Sequence, residues 1–424
     1  MKPMHFGSRK KQILAIAALV IVCGFGYFIG VRYIANAQMS LGSIDDCFIT
    51  PAPGAPNTTP ACLNDSIEKL LRSYSVGDIM TYITATTTAS TVVNSCHPIG
   101  HIVGENSYKK YGSIEQALSQ CTSACRSACT HGVIGAGVLA QMGEIYSEDD
   151  VAHMGTAELK KIGTSYCKNS DSTCHAIGHV AYIAAGEDMP ALGVCDTVAS
   201  STLRREACYQ GVFMERSGAF LNVLFATEEE KQPETRSGDY TYPCSALPQQ
   251  YRNACYLFLS AYQKPLFIAD GIDTPAARLE KAIQACESLT AHDRADCFTG
   301  IGISSDLFGY LNADAAALES LCDQLTESSD RTACTLGVVP RFLYAAQSEM
   351  YGYCEAIKEE ERRNICYQGA FKWLEVKSHA KNDPELICGN NAICLKRYEI
   401  FTQTRSTVPD YRFGLFGVPK VVGQ

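Results

Sequence analysis

Charged residues are missing from one long stretch near the start of this 424-residue chain. None occurs from Ile13 to Val31, whereas four basic residues and no acid precede it: Lys2, Arg9, Lys10 and Lys11. At 1.5 Å per residue such a stretch nearly crosses a hydrocarbon core of roughly 30 Å, and a basic flank stays cytoplasmic. We therefore expect a basic tail over 1–12, a transmembrane anchor over 13–35, and an extracytoplasmic C-terminal bulk.

A second interpretation of this N-terminal region stays open. The small-x-small sequence Ala35-Asn36-Ala37 follows the apolar run and has the form of a signal-peptidase site. Cleavage after Ala37 would release the chain with Gln38 at its new N-terminus. Signal h-regions are usually only about 7 to 15 residues long, which favours the uncleaved single-pass anchor.

Several motifs that identify common enzymes and metal sites are also missing. The absence of CxxC excludes thioredoxin-like redox motifs, zinc ribbons and covalently attached haem. HExxH, GxSxG and the P-loop sequence are absent as well. No catalytic residue can therefore be named from a motif.

Cysteine, by contrast, is abundant. The chain holds 21 cysteines, and only Cys23 lies in the apolar stretch. The even number that follows is typical of a disulfide framework in an oxidising compartment. Cysteine usage therefore agrees with the predicted export.

The net charge is −9, and it becomes −14 once the five basic residues up to Ala37 are set aside. An acidic surface of this kind repels nucleic acid and anionic lipid. We expect no nucleic-acid partner.

Composition and spacing divide the exported part into successive segments. Alternation typical of strands is scarce, whereas helix-start signals recur, as in Ser113 with Gln116 and Thr274 with Pro275. The predicted segments are a Pro/Thr-rich stalk (36–62), a duplicated His-bearing helical region (63–225), a polar loop (226–243), disulfide-clipped helical repeats (244–398) and a C-terminal tail (399–424).

Internal repetition is the strongest pattern in the exported part. Cysteine pairs recur with ten to twelve residues between their members: Cys195 and Cys208, Cys244 and Cys255, Cys286 and Cys297, Cys322 and Cys334, and Cys354 and Cys366. An arginine precedes the second cysteine of each pair by three positions: Arg205, Arg252, Arg294, Arg331 and Arg363. Glycine follows that cysteine by three in most pairs, as at Gly211, Gly300 and Gly337, and at Gly132 after Cys129.

This spacing predicts that a helix ends near the first cysteine and that the next helix begins near the second. A disulfide then joins the two, and glycine lets a neighbouring helix approach closely. The predicted fold class is all-α, made of disulfide-clipped helix-pair repeats that stack as an α-solenoid. The layout from Ile114 to Trp373 resembles secreted tetratricopeptide-like repeat proteins with one disulfide per helical pair, and the resemblance implies this architecture but no residue-level function.

Histidine is rare, yet five of the nine histidines lie in two matched blocks. Cys96-His97-Pro-Ile-Gly-His101 and Cys174-His175-Ala-Ile-Gly-His179 each place two imidazoles one helical turn apart, a spacing by which a helix offers two ligands to one metal ion. The candidate metal ligands are His97, His101, His175 and His179, completed by His131, Glu105 or Glu215. Such a set suits zinc, iron or copper. Alternatively, the histidines are packing residues whose ring nitrogens bond backbone carbonyls.

Two functions follow from these patterns. The first is a membrane-anchored helical-repeat protein that binds another extracytoplasmic protein, peptide or envelope component, because the repeats extend far beyond the histidine blocks. The alternative is a metal-binding protein or metalloenzyme built on the paired HxxxH motifs. Neither the partner nor a reaction follows from the sequence.

Overall fold

The structure is a computed structural model, and its elements come from a defined part of the chain. The described residues are 41–48, 59–86, 96–122, 124–143, 156–168, 170–217, 236–310, 314–345, 350–377, 384–404, 411–413 and 419–421. The predicted anchor over 13–35 lies outside these ranges. Among the helices that are described, none has both the length and the apolar composition needed to cross a membrane.

The described residues are almost entirely helical. The helices of the N-terminal half are α1 (Thr59–Leu70), α2 (Val76–Thr86), α3 (Cys96–Tyr111), α4 (Ile114–Leu118), α5 (Ala124–Gly143), α6 (Thr156–Cys167), α7 (Asp171–Ala185), α8 (Asp188–Val198) and α9 (Thr202–Arg216). Those of the C-terminal half are α10 (Gln249–Tyr256), α11 (Leu259–Ala269), α12 (Pro275–Glu287), α13 (Ala291–Ile303), α14 (Ala315–Asp323), α15 (Ser328–Ala345), α16 (Met350–Ala356), α17 (Glu360–Lys377), α18 (Glu385–Cys388) and α19 (Ala392–Thr404). Short 3₁₀ helices cover Leu41–Phe48, Cys244–Ala246 and Ser305–Phe308.

Two predicted segments, the C-terminal tail and the stalk, contain structure that the sequence did not indicate. A short antiparallel pair joins β1 (Tyr411–Phe413) to β2 (Pro419–Val421) in the predicted C-terminal tail. Within the predicted stalk, Ile44 and Cys47 are buried against α1, and a disulfide joins Cys47 to Cys62. The described residues 41–48 of this segment are therefore packed against the first helix.

The predicted helix starts are present at the expected residues. The Ser113 hydroxyl accepts a hydrogen bond from the backbone N–H of Gln116 at the start of α4. At the start of α12, Thr274 caps the backbone N–H of Ala277, and Pro275 occupies the first helical position. These side chains satisfy backbone donors that a helix leaves without intrahelical partners.

The structure places ten cysteine pairs at bonding distance, and the five pairs that the spacing predicts are among them. In four of those five, the first cysteine lies in the last turn of one helix and the second lies early in the next, as in α8 and α9. The exception is Cys244, which lies in a 3₁₀ turn. The remaining pairs are Cys47–Cys62, Cys96–Cys125, Cys121–Cys129, Cys167–Cys174 and Cys388–Cys394.

Three of the five recurring arginines connect their disulfide loop to the following helix pair. Arg294 donates to the carbonyl of Glu287 and pairs with Asp330, which belongs to the following helix pair. Arg252 and Arg331 repeat this arrangement, because each donates to a loop carbonyl of its own pair and reaches an acid of the next. A guanidinium suits this double role because it offers several donors in a fixed plane.

The recurring glycines lie where helices touch through their backbones. A Cβ atom on Gly211 of α9 would overlap the carbonyl oxygen of His175 in α7, and one on Gly178 would overlap that of Cys208. Gly132 of α5 and Gly104 of α3 have the same reciprocal relationship with His101 and Cys129. This confirms the predicted close approach, and it brings both histidine helices against their partners.

A continuous apolar core runs along the described chain from Ile44 to Phe401. Fully buried aromatic residues, including Phe213, Phe298 and Phe371, fill it between helix pairs. Burial of side chains of this size contributes roughly 1.5–3 kcal/mol each. This core supports the helices that carry the histidine blocks.

Candidate metal centre

Helices α3, α5, α7 and α9 form the part of the fold that contains the histidine blocks. Helix α3 packs on α5, α7 packs on α9, and α5 also packs on α7. The four HxxxH histidines lie on α3 and α7, while His131 lies on α5 between them. The two blocks therefore meet at one place, as a shared site requires.

The first pair of imidazoles points ring to ring. Nε2 of His97 lies 3.1 Å from Nε2 of His101, and the rings meet edge to face with centroids 4.7 Å apart. Nδ1 of His97 lies 2.7 Å from the carbonyl oxygen of Cys125. A carbonyl can only accept, so this nitrogen donates and Nε2 of a neutral His97 ring carries the lone pair.

The second pair repeats this geometry. Nε2 of His175 lies 3.0 Å from Nε2 of His179, and Nδ1 of His175 donates to the carbonyl of Ala207 at 3.0 Å. Nδ1 of His179 lies 3.0 Å from Oε2 of Glu215. Outer hydrogen bonds of this kind fix the orientation of histidines whose opposite nitrogen binds a metal.

His131 connects the two pairs. Its ring centroid lies 4.8 Å from that of His175 and 5.2 Å from that of His101. The ligand atoms of His97, His101 and His131 all lie within 4.8 Å of one another, and so do those of His131, His175 and His179. The structure thus forms two groups of three histidines that share one member.

This five-histidine cluster is buried almost completely. His101, His131, His175 and His179 are at most 4% exposed, whereas His97 is half-buried. Burial, reinforced by the neighbouring imidazoles, holds the pKa of His101 well below its usual range. Burial also lowers the pKa of His179 to about 3. These two rings are therefore neutral at physiological pH, the form that binds metals.

Glu215 contributes through His179. The carboxyl group is 2% exposed, and burial raises its pKa well above the usual value. Because His175 donates through Nδ1, the neutral pair is satisfied when His179 donates through Nε2 and accepts from a protonated Glu215. A hydrogen-bonded chain then runs from Glu215 through both rings to Ala207.

Glu105 lies apart from the histidine groups among the described residues. Its carboxylate pairs with Lys109 at 2.5 Å, one turn further along α3. It is absent from both groups of three histidines. The spacing from His97 places Glu105 on the same face of α3, but its carboxylate forms a salt bridge with Lys109 of that helix.

The carbonyl partners of His97 and His175 were not predictable from the sequence. Cys125 and Ala207 lie 28 and 32 residues from the histidines they contact. Only the disulfide between Cys96 and Cys125 could have indicated one of them, and sequence alone does not give its connectivity. The role of His131 was only partly visible, since its position is occupied by Gln210 in the second block.

The chain matches no protein-family model, no curated protein and no solved structure.

Proposed function

We propose that this protein binds transition-metal ions through His97, His101, His131, His175 and His179. The observation that carries the proposal is the convergence of five imidazoles, four of them buried, from three helices into two groups of potential ligand atoms. A packing role beside a disulfide does not require histidines from separate helix pairs to lie close together.

The chemistry of the donors indicates the class of metal. Calcium and magnesium require oxygen ligands, whereas imidazole nitrogen suits zinc, copper, iron and nickel. The sequence-based candidates zinc, iron and copper all fit this donor set. Two nitrogens bound to one tetrahedral zinc ion at about 2.0–2.1 Å lie about 3.3 Å apart. The Nε2 atoms of each pair, 3.1 and 3.0 Å apart, are close to that separation.

The carbonyl bonds of His97 and His175 fit both a metal ligand and a packing residue. The two roles differ in what substitution does. Substitution of a packing residue lowers only the free energy of unfolding. Substitution of a metal ligand also removes bound metal, even when the variant is still folded.

Metal analysis of the full-length protein, purified in detergent, tests the proposal directly. After chelation and reloading with zinc or copper(II), wild type should retain stoichiometric metal, and His101→Ala and His179→Ala should each lose it. His292→Ala is the matched control because this histidine is exposed on α13. Wild type that retains no metal, or a loss equal to that in the control, would contradict the proposal.

We also propose that the metal centre lies outside the cytoplasm, on a helical-repeat domain tethered by the apolar segment 13–35. The ten disulfides, which use every cysteine after Cys23, support an oxidising compartment. The recurring Arg and Gly contacts support a repeat architecture.

A reporter fused after Gln424 should be active only outside the cytoplasm. Binding of an extracytoplasmic protein or peptide stays a prediction.

A further inference from the structure

His131 has a position that no other histidine of the cluster shares. It belongs to both groups of three, and its ring lies between the pair on α3 and the pair on α7. Imidazole carries its two nitrogens on different edges of the ring, so one ring can offer a ligand atom toward each side. This geometry raises the question of how many ions the cluster holds.

We infer that the cluster binds two metal ions and that His131 bridges them, with one ring nitrogen bound to each. The inference deepens the proposed function and depends on it. His97 and His101 would hold one ion, and His175 and His179 the other. Each ion then has three nitrogen ligands, as in zinc sites that keep a further position open.

The dimensions are compatible with such a bridge. Metal–nitrogen distances of about 2.0–2.1 Å on either side of a five-membered ring separate the two ions by about 6 Å. The three rings that would hold the first ion have centroids 4.7–5.4 Å apart. The three rings that would hold the second ion have centroids 4.7–6.0 Å apart.

Charge balance also favours a bridge over two independent sites. Two divalent ions in a buried site repel each other strongly. When both nitrogens of His131 bind, the hydrogen of the second nitrogen leaves to solvent as a proton, because bound cations strongly increase the acidity of their ligands. The resulting negative imidazolate lies between the two cations and reduces their repulsion.

The two ions would differ in environment. The first site includes the half-buried His97, whereas His175 and His179 are at most 4% exposed. The second site also has the buried Glu215 behind His179. An exchangeable ligand such as water therefore reaches the ion at His97, and the ion at His175 and His179 is enclosed.

The duplicated sequence supports a single bridge and supplies a matched variant. The position of His131 in the first block is occupied in the second by Gln210, which is itself buried. Glutamine is thus compatible with this position of a helix that packs on a histidine pair. His131→Gln should remove the bridge while retaining the two histidine pairs.

Copper(II) titration of metal-free full-length protein tests the inference. Wild type should bind two copper ions per chain, and coupling of their spins through the bridge should make the integrated electron paramagnetic resonance signal far smaller than that of two isolated ions. In His131→Gln the ions that remain bound should give their full signal. His175→Gln should bind one copper ion with a full signal, because His97, His101 and His131 remain.

The possible outcomes distinguish the two-ion inference from the proposed metal-binding function. One copper ion per chain in wild type would overturn the two-ion inference and leave the metal-binding function standing. Two ions with a full signal in wild type would overturn the bridge. No bound copper would overturn both. The wild-type measurement does not depend on the folding of any variant.

Discussion

Nδ1 of His179 lies 3.0 Å from Oε2 of Glu215, and both side chains are buried between α7 and α9. This contact links a candidate ligand to a carboxyl group that does not itself belong to either group of three histidines. If Nε2 of His179 bound a metal, the ring hydrogen would lie on Nδ1 and Glu215 would lose its proton to solvent. The resulting carboxylate would orient the ring and increase the basicity of Nε2. We therefore expect Glu215 to act as a positioning residue.

Replacement of Glu215 by glutamine should weaken metal binding without removing a ligand. Outer-sphere partners of this kind typically contribute about 10- to 100-fold to metal affinity. We expect a loss in this range for Glu215→Gln, measured by competition with a chelator. Glu187→Gln, an exposed acid at the start of α8, is the control and should leave the affinity unchanged. Equal affinities in the two variants would show that Glu215 does not support the site.

The fold was largely accessible from the sequence because its determinants are local. Cysteine spacing and helix caps such as Thr274 act between residues that lie close together in the sequence. The histidine site was accessible only in part. The HxxxH spacing identifies a helix face, but which helices meet depends on contacts such as that between His97 and Cys125, which spacing does not encode. Glu105 illustrates the limit, since it follows the helical pattern but pairs with Lys109.

The close contact between α3 and α5 makes a prediction about Gly132. A methyl group there would overlap the carbonyl oxygen of His101, so Gly132→Ala should push the two helices apart. Overpacking of this kind typically destabilises a protein by roughly 1–3 kcal/mol. Because His101 and His131 lie on the two separated helices, metal affinity should fall as well. Denaturant unfolding and metal competition would measure the two effects.

Gly135 provides the matched control on the same helix. Among the described residues, and apart from the backbone of α5 itself, no atom lies within 4 Å of a Cβ built at this position, so Gly135→Ala has room for its methyl group. Alanine is favoured over glycine in a helix by roughly 0.5–1 kcal/mol. We expect this variant to be as stable as wild type or more so, with unchanged metal affinity. Equal destabilisation by both substitutions would contradict the role given to the Gly132 contact.

The disulfide between Cys96 and Cys125 joins the start of α3 to α5 beside the hydrogen bond of His97. Its members are 29 residues apart, for which the chain-entropy model gives about 3–4 kcal/mol of stabilisation. The Cys96→Ser, Cys125→Ser double variant should lose stability in this range and bind metal more weakly, since the carbonyl that orients His97 is no longer held in place. Unfolding and metal titration would show both changes.

The disulfide between Cys388 and Cys394 serves as the comparison. It closes a shorter loop, with a sequence separation of 6, and it lies on α18 and α19, far along the chain from the histidines. Its double serine variant should lose about 2 kcal/mol of stability. Metal affinity should not change. If removal of the Cys96–Cys125 bond also left metal affinity unchanged, His97 would not depend on that tether.

A buried acid in the C-terminal half gives a prediction about pH. Glu319 of α14 is 4% exposed and lies 2.5 Å from Arg362 of α17. Burial raises the pKa of Glu319 to about 7, because desolvation outweighs the attraction of Arg362 and the nearby Asp323 adds repulsion. In the unfolded chain this carboxyl titrates at its ordinary value of about 4.3. The folded state therefore binds the proton more tightly than the unfolded state does.

The sign of the pH dependence follows from this difference. The stability that protonated Glu319 provides is fully present below about pH 4.3, and it is lost as the pH rises through about 7. We expect a loss of roughly 1–2 kcal/mol across this window, after allowance for screening by solvent around Asp323. Glu319→Gln, which cannot ionise, should reduce the slope of unfolding free energy against pH between 4.5 and 7. Glu280→Gln, an exposed acid on α12, should keep the wild-type slope. A slope that is the same in all three proteins would show that Glu319 is ionised in the folded state throughout, with its charge compensated by Arg362.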